Sequence, residues 1–174
     1  MGEIGVMDAL ILVDENDTQI GTAEKLAAHQ NGGQLHRAFS VFIYNDSGQL
    51  LLQRRAAGKY HFGGLWTNSC CGHPLQGEDV ALAAGRRLHE ELGIHVPLRA
   101  AGTFIYRAED CSSGLVEHEF DHMFIGHWNG PLWIDEEEVA ETRWLDPEAV
   151  GQWLDREPEK FTPWFPIALK NLEV

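Results

Sequence analysis

The chain has 174 residues, 44% of them hydrophobic, which is enough for the core of one domain and too few for two. Its formal net charge of −14 argues against broad electrostatic binding to nucleic acid or acidic lipid, but not against a small anionic ligand accompanied by cations. Three cysteines, two of them adjacent, form no disulfide framework, which indicates a reduced, cytoplasmic protein.

The N-terminal half is predicted to contain mostly strands. Residues 1–8 lack the basic start and long apolar run of a signal peptide, and no stretch of the chain stays apolar for long enough to span a bilayer. Asn45-Asp46-Ser47-Gly48 separates two apolar runs and predicts a hairpin turn, in which the glycine supplies a positive φ. The predicted elements are strands at residues 9–13, 35–44 and 49–55, a helix at residues 22–30, and an irregular glycine-rich segment at residues 58–77.

The C-terminal half mixes strands with helices. Residues 79–92 carry a partial apolar stripe at helical spacing, and Gly93 is typical of a helix C-cap. Asp146 before Pro147 predicts a capped helix start, and Thr162 before Pro163 repeats that signal. Strands are predicted at residues 94–98, 103–107 and 115–128. Because strands and helices do not alternate as βαβ units, we expect an α+β fold, a mixed β-sheet sandwich flanked by α-helices.

One long motif runs from Gly72 to Ile94. It reads Gly-x5-Glu-x7-Arg-Arg-Leu-His-Glu-Glu-Leu-Gly-Ile and resembles the Nudix box, G-x5-E-x7-R-E-U-x-E-E-x-G-U, in which glutamates hold a divalent cation beside a diphosphate. Carboxylates suit Mg²⁺, which also bridges to phosphate oxygens. Arg87 stands where the Nudix box has a glutamate, which argues against ordinary Nudix hydrolysis. Alternatively, the motif has only a structural role, in which Glu–Arg pairs four residues apart stabilise the helix.

A second motif, Thr67-Asn68-Ser69-Cys70-Cys71-Gly72-His73-Pro74, precedes the predicted helix. A single cysteine is most often a small buried hydrophobic residue. The motif, however, is similar to T-N-S-x-C-G-H-P, the hallmark of the type I isopentenyl diphosphate isomerases of the Nudix superfamily. The resemblance implies that Cys71 is catalytic and that His73 is a metal ligand. Cys70 falls on a variable position of the motif and is expected to have no role.

A third motif, Val116-Glu117-His118-Glu119, lies within a predicted strand. Because side chains alternate along a strand, Glu117 and Glu119 are expected on one face, with Cα atoms about 7 Å apart. Taken alone, the pair could be a solvent-facing acidic row. The isomerase family carries the same V-E-x-E pattern, which implies that both glutamates bind a metal and that Glu119 is also catalytic. Tyr106 matches the catalytic tyrosine of that family.

His29 and His36 are the remaining ligand candidates. Isolated histidines are usually surface residues or hydrogen-bonded core residues, so by themselves they define no metal site. They match family segments in which both histidines bind the same metal as the histidine at position 73. Three imidazoles and two carboxylates suit Zn²⁺ or Mn²⁺ better than Mg²⁺. The other histidines, among them His61, match no ligand position of the family.

The resemblance extends from Asp14 to Trp164 and implies a single Nudix-type isomerase domain over residues 1–174. Such a domain interconverts isopentenyl and dimethylallyl diphosphate through a tertiary carbocation. A separate Mg²⁺ site is implied at Glu91 and the backbone of Cys71, and no flavin is expected. The expected partner is a small diphosphate, without nucleic acid or membrane, in a monomer or small homo-oligomer. The implied substrate contacts are Lys25, Arg55, Lys59, Arg87 and Trp164.

Three other functions account for less of the sequence. A Nudix hydrolase of a nucleoside diphosphate derivative would explain residues 72–94. It would leave without roles the residues Cys71, His29, His36, Tyr106 and Trp164. A catalytically inactive Nudix-like sensor is disfavoured because every proposed catalytic residue is present. The unrelated flavin-dependent type of isomerase is disfavoured because the sequence has no nucleotide-binding glycine fingerprint.

Overall fold

The computed structural model describes residues 9–59 and 61–174, so the expectation about residues 1–8 lies outside the described residues. Within these ranges nine strands form one mixed sheet. The strands are β1 (Ala9–Val13), β2 (Gln19–Glu24), β3 (His36–Tyr44), β4 (Leu50–Arg55), β5 (Trp66–Thr67), β6 (Cys70–Gly72), β7 (Arg99–Glu109), β8 (Val116–His127) and β9 (Val139–Leu145). The helices are α1 (Lys25–His29), α2 (Val80–Leu92), α3 (Pro147–Arg156) and α4 (Trp164–Asn171), with a short 3₁₀ helix at Pro158–Lys160.

Strand β3 is the centre of the sheet. β8 pairs with it in parallel, and His36 at the start of β3 lies opposite Glu119 of β8. β6 pairs with β3 in antiparallel orientation, with Cys71 opposite Ser40. Because both neighbours pair with the same residues of β3, they lie on its two opposite edges. The central strand therefore brings the two predicted reactive segments, one on β6 and one on β8, to the same part of the sheet.

Apolar side chains cover both faces of the sheet. Along β3, the alternation of side chains determines which residues lie on which face. Phe39, Val41 and Ile43 pack with α2 in one buried cluster, whereas Phe42 packs with α4 in the other. Each fully buried leucine or phenylalanine contributes about 1.5–3 kcal/mol to stability. The sheet with helices on both faces confirms the predicted α+β sandwich. In the described ranges no helix is long and apolar enough to cross a membrane.

Several local predictions are confirmed. The 45–48 turn connects β3 to β4, and Gly48 has φ 74°. Helix α2 begins after Asp79, whose side chain accepts hydrogen bonds from the backbone of Ala81 and Leu82. It ends at Gly93, which is left-handed with φ 69°. These features depend on residues close together in the chain, where propensity and capping act directly.

The helix predicted at residues 22–30 is wrong for its first three residues, 22–24. Residues up to Glu24 form β2, which pairs antiparallel with β1, so only Lys25–His29 is helical. The pairing with β1 overrides the local helical pattern. The side chain of Glu24 caps the short helix by accepting from the backbone of Leu26 and Ala27. This change matters for the site because it fixes where His29 lies at the helix end.

Other boundaries were also wrong. Residues 94–98 form no strand, and Ile94 instead packs in the α2 cluster. The segment 58–77, predicted to be irregular, contains β5 and β6, and β9 was not predicted at all. Pro147 begins α3, but Asp146 makes no side-chain capping bond, and α4 begins after Pro163 rather than with a threonine cap. The strands β5, β6 and β9 form because neighbouring strands supply their hydrogen-bond partners.

Candidate active site

Three histidines and a glutamate from four parts of the chain converge at one end of β3. His29 ends α1, His36 begins β3 and His73 follows β6; we refer to these three as the histidine cluster. Together with Glu117 of β8, they offer ligand atoms that all lie within 4.8 Å of one another. Glu119 joins them, since its Oε1 lies 3.0 Å from His73 Nε2 and 3.5 Å from His36 Nε2.

Backbone carbonyls orient two of the imidazoles. Nδ1 of His29 lies 2.6 Å from the carbonyl oxygen of Lys25, and Nδ1 of His36 lies 2.8 Å from that of Gln34. A carbonyl can only accept, so both Nδ1 atoms carry the proton and Nε2 is left as the electron-pair donor. Nε2 of His29 then lies 3.1 Å from a carboxylate oxygen of Glu117. Two electron-rich atoms at this distance are stabilised by a proton or a metal ion shared between them.

The donor set therefore fits a divalent metal ion. His36 Nε2 is buried and has no hydrogen-bond partner among the described residues. Imidazole nitrogens and carboxylate oxygens are the ligands of Zn²⁺ and Mn²⁺, and both glutamates are nearly completely buried, with exposed fractions of 3% and 7%. The alternative that Glu117 and Glu119 form a solvent-facing acidic row is thus wrong. The prediction that the two side chains lie on one face of the strand is confirmed.

The protonation of the cluster follows from burial and from its neighbours. Burial alone would raise the pKa of Glu117, but its contacts with the imidazoles of His29 and His61 hold that pKa well below its usual range. Burial lowers the pKa of His73. Burial also opposes a charge on His36, but the carboxylates of Glu119 and Glu117 outweigh it and raise its pKa. Glu117 is accordingly an ionised carboxylate suited to hold a cation.

Tyr106 and Glu119 form a buried pair across two strands. They are directly opposite one another in the β7–β8 register, and the Tyr106 hydroxyl donates to Glu119 Oε2 at 2.5 Å. Burial and the charge of Glu119 raise the pKa of Tyr106 well above its usual value, so the phenol stays protonated as a donor. The second oxygen of Glu119 faces the histidine cluster. The pair thus couples a proton donor to a carboxylate beside the candidate metal centre.

The two adjacent cysteines have different surroundings. Cys71 Sγ lies 3.2 Å from Asn68 Oδ1 and 3.7 Å from Ser40 Oγ, and Cys71 lines the cavity described below. Burial raises the pKa of Cys71 to about 12, so its thiol is neutral near pH 7. Cys70 is fully buried in the cluster that packs against α2, and burial raises its pKa as well. Alternation along β6 therefore directs only one of the two thiols to the cavity.

A cavity of about 290 Å³ opens beside the histidine cluster. Five cationic side chains line it, of which Lys25, Arg55, Lys59 and Arg87 form its cationic end and Arg86 is the fifth. Its walls also carry the thiol, the tyrosine–glutamate pair and a tryptophan. The residues predicted from the sequence that line it are Lys25, Arg55, Lys59, Cys71, His73, Arg87, Tyr106, Glu117, Glu119 and Trp164. All the predicted substrate contacts thus lie around one cavity.

Trp164 is the aromatic wall of this cavity and is itself almost fully buried. Its ring lies edge-on to Phe62, with centroids 5.4 Å apart, and 6.0 Å from the ring of Tyr106. The guanidinium carbon of Arg55 lies 5.4 Å from its centroid. Arg55 therefore lies within the range of a cation–π contact with the indole. Trp164 also packs in the α4 cluster, so the core and site roles coexist.

The cationic end of the cavity is balanced by carboxylates. Arg87 donates to Glu91 Oε1 and to Glu90 Oε2, each at 2.7 Å, and lies 3.4 Å from Glu138. Glu138 also pairs with Lys59. The predicted ion pairs along α2 therefore exist, but Arg87 lines the cavity as well. Glu91 is buried beneath this end, where it also accepts from Gln53 Nε2 at 3.0 Å, and it is not among the lining residues described for the cavity.

Several residues that line the cavity were not predicted from the sequence, His61 and Glu138 among them. His61, which was assigned no role, is buried and its Nε2 contacts Glu117 Oε1. Glu138 lies in an acidic run, where nothing in the sequence distinguishes it from its neighbours. Their partners are distant in the chain, so local patterns carry no signal for either contact. Arg54, the neighbour of Arg55 on β4, pairs with Glu141 at 3.5 Å and is not among the residues described as lining the cavity.

The fold and the motif define the class of protein. The family model of the NUDIX domain matches residues 34–165. Among solved structures, DR0079 of Deinococcus radiodurans superposes with a TM-score of 0.75 at 20% identity, covering 94% of this chain and 98% of that one. The MutT protein of Methanosarcina mazei gives a TM-score of 0.62 at 20% identity, covering 75% and 87%. At this identity the two structures show the fold alone, and it is the Nudix fold.

Curated relatives narrow the class. The isopentenyl-diphosphate Delta-isomerase of Streptomyces avermitilis is 52% identical over 168 residues, which cover 95% of this chain and 84% of the relative. That of Serratia proteamaculans is 47% identical over 165 residues, covering 95% and 91%. The chain belongs to the isopentenyl-diphosphate Delta-isomerase family of Nudix-domain proteins.

Proposed function

We propose that the protein interconverts isopentenyl diphosphate and dimethylallyl diphosphate. A proton is added to the terminal carbon of the double bond, which leaves a tertiary cation, and loss of a proton from the neighbouring methylene forms the new double bond. The observation that carries this proposal is the cavity, where the Cys71 thiol and the Tyr106–Glu119 pair lie together with a cationic end. The relatives that share half of their residues with this chain carry the name of this reaction.

Proton transfer is assigned to two groups. Cys71 is a neutral thiol, and Glu119 is a carboxylate that accepts a hydrogen bond from Tyr106. General acid and base groups must lie next to the reacting carbons, and both of these groups line the cavity. A carbocation must also be shielded from water, which would otherwise convert it to an alcohol. The buried walls at Tyr106 and Trp164 provide this shielding. These assignments give Cys71, Glu119 and Tyr106 the catalytic roles.

The histidine cluster with Glu117 and Glu119 is proposed to hold one Zn²⁺ or Mn²⁺. When bound, this ion supplies a positive field that lowers the basicity of Glu119 and orients it. A separate Mg²⁺ is assigned to Glu91 and the Cys71 backbone, because a buried carboxylate next to the cationic end suits a cation that accompanies a diphosphate. No flavin is needed for proton transfer of this kind.

The diphosphate is assigned to the cationic end of the cavity. Two arginines there can donate to phosphate oxygens in a fork, and two lysines add charge. The residues with this role are Lys25, Arg55, Lys59 and Arg87. We further propose one domain over residues 1–174 in a cytoplasmic monomer or small homo-oligomer. The net charge of −14 supports a protein that binds neither nucleic acid nor membrane.

The activity is tested by following isopentenyl diphosphate by NMR in D₂O with enzyme and Mg²⁺. Formation of dimethylallyl diphosphate with deuterium incorporated supports the proposed isomerase. Release of inorganic phosphate without isomerisation would instead indicate a Nudix hydrolase. The intact diphosphate is visible by ³¹P signals in the same sample, so the two outcomes are read together.

Arg87→Ala should chiefly raise KM for isopentenyl diphosphate, by about 10- to 100-fold, because a hydrogen bond to a charged group contributes about 1.5–3 kcal/mol. Its guanidinium lines the cavity, and it is absent from the groups assigned to proton transfer. Steady-state kinetics measure the effect, with Arg54→Ala as the control, because Arg54 pairs with Glu141 instead. We also expect no phosphate release from a panel of nucleoside diphosphate derivatives, since Arg87 replaces a metal-binding glutamate. Robust release would favour the hydrolase.

Trp164→Leu should weaken binding of an ammonium analogue of the carbocation by about 30-fold, since a desolvated cation–π contact is worth about 2 kcal/mol. An uncharged isostere of the same shape should lose much less affinity. Because the charge exists only near the transition state, Trp164→Phe should lower kcat more than it weakens substrate binding. Titration calorimetry with both analogues measures the difference.

The control for Trp164 is Trp133→Leu, because Trp133 is 64% exposed and lies outside the residues described as lining the cavity. That variant should bind both analogues as the wild type does. If Trp164→Leu weakens the charged and the uncharged analogue equally, the indole is only an apolar wall.

A further inference from the structure

Glu117 uses its two oxygens differently. Oε2 lies 3.1 Å from His29 Nε2 and 3.7 Å from His36 Nε2, whereas Oε1 contacts Nε2 of His61. An ionised carboxylate can only accept hydrogen bonds, so His61 is the donor in this contact. An imidazole that donates from Nε2 has no electron pair there for a metal ion. His61 therefore acts on the carboxylate and not on the centre of the histidine cluster.

Glu119 shows the same arrangement. Its Oε1 faces His73 and His36, while its Oε2 accepts from the Tyr106 hydroxyl. Each buried glutamate thus presents one oxygen to the histidine cluster and has the other held by a donor from another part of the chain. Tyr106 is the donor to Glu119, and His61 is the corresponding donor to Glu117.

We propose that His61 is a positioning residue of the metal centre. By donating to Oε1, it restricts Glu117 to binding the cation through Oε2 and fixes the direction in which that oxygen points. His61 is 6% exposed and Glu117 is 3% exposed, so water competes little for this hydrogen bond. The inference rests on the proposed metal centre and adds to it a residue outside its ligand set.

The location of His61 supports a positioning role. It lies in the segment before β5, whereas Glu117 lies near the start of β8, 56 residues later in the chain. The ring centroids of His61 and His29 are 5.1 Å apart, so the histidine packs against the cluster that it orients. His61 also lines the cavity, and its contact therefore joins the cavity wall to the metal ligands.

The test compares three variants of the full chain with the wild type. His61→Leu removes the donor and keeps an apolar side chain, and His61→Gln keeps an N–H donor of similar reach. His127→Leu is the control, because it removes an exposed histidine from the far end of the strand that carries Glu117. Zn²⁺ affinity is measured by competition with a chromophoric chelator, and urea unfolding of the metal-free proteins reveals any folding defect.

His61→Leu should weaken Zn²⁺ binding by about 10- to 100-fold, which is typical for loss of a hydrogen bond to a metal ligand. His61→Gln should recover most of this loss, and His127→Leu should bind as the wild type does. X-ray absorption of the zinc-loaded proteins should show the same number of imidazole ligands in His61→Leu and in the wild type.

Two results would overturn the inference. Equal Zn²⁺ affinity of all four proteins would show that His61 does not support Glu117, and loss of one imidazole ligand in His61→Leu would make His61 a direct ligand. If His61→Leu does not fold, His61→Asn, whose amide is too short to reach, replaces it in the comparison. Failure of the wild type itself to bind Zn²⁺ would overturn the metal centre, which is a different outcome.

Discussion

Cys71→Ala should lower kcat for isomerisation by about 10²- to 10⁴-fold, the usual contribution of a general acid or base, while the fold stays intact. The thiol lies in the cavity, and its pKa of about 12 keeps it protonated at the pH of the assay. Alanine removes from β6 the thiol to which proton transfer is assigned, without altering the backbone. The NMR assay in D₂O measures the rate, and circular dichroism with a thermal melt measures the fold.

Cys70→Ala is the matched control for this experiment. It removes the neighbouring thiol, which is buried against α2 and faces away from the cavity. Its kcat should be nearly unchanged, whereas its thermal stability should fall slightly because a packed sulfur atom is lost. A large loss of activity in Cys70→Ala together with a tolerant Cys71→Ala would show that proton transfer was assigned to the wrong cysteine.

His36→Ala should abolish both the tightly bound metal and the activity. The wild type is expected to be purified with about one Zn²⁺ or Mn²⁺ per chain, since the five proposed protein ligands would form a nearly complete coordination shell. The imidazole of His36 is fully buried and its Nε2 lies within 3.7 Å of both glutamates. Its removal takes one nitrogen ligand from the proposed metal ion and leaves a gap beside two buried carboxylates. Elemental analysis after gel filtration, on the same samples as the kinetic assay, measures the effect.

Two controls define the result for the metal centre. His89→Ala removes an exposed histidine from α2 and should keep both metal and activity. Wild type stripped by a chelator should recover with Zn²⁺ or Mn²⁺ but not with Mg²⁺ alone, which is expected to bind only together with substrate. A His36→Ala protein that is active without any bound metal would contradict the assignment.

Features set by neighbouring residues were predictable from the sequence. Helix α2 follows from its apolar spacing, from the Asp79 cap and from Gly93, and the β3–β4 turn follows from Gly48. The two-residue period of a strand also placed Glu117 and Glu119 on one face. The resemblance in the motifs then pointed to the residues that the structure gathers around one cavity. These features are decided over a few residues, where capping and side-chain alternation act directly.

Contacts between distant residues were decided by the tertiary structure alone. β2 is a strand because β1 pairs with it, and β9 is a strand because β4 pairs with it, although neither local sequence predicted this. His61 meets Glu117 across 56 residues, and Glu138 meets Lys59 across 79. Such hydrogen bonds and ion pairs depend on how the sheet curls and on which side chains become buried together. No local pattern encodes them, because their free energy appears only when the chain has folded.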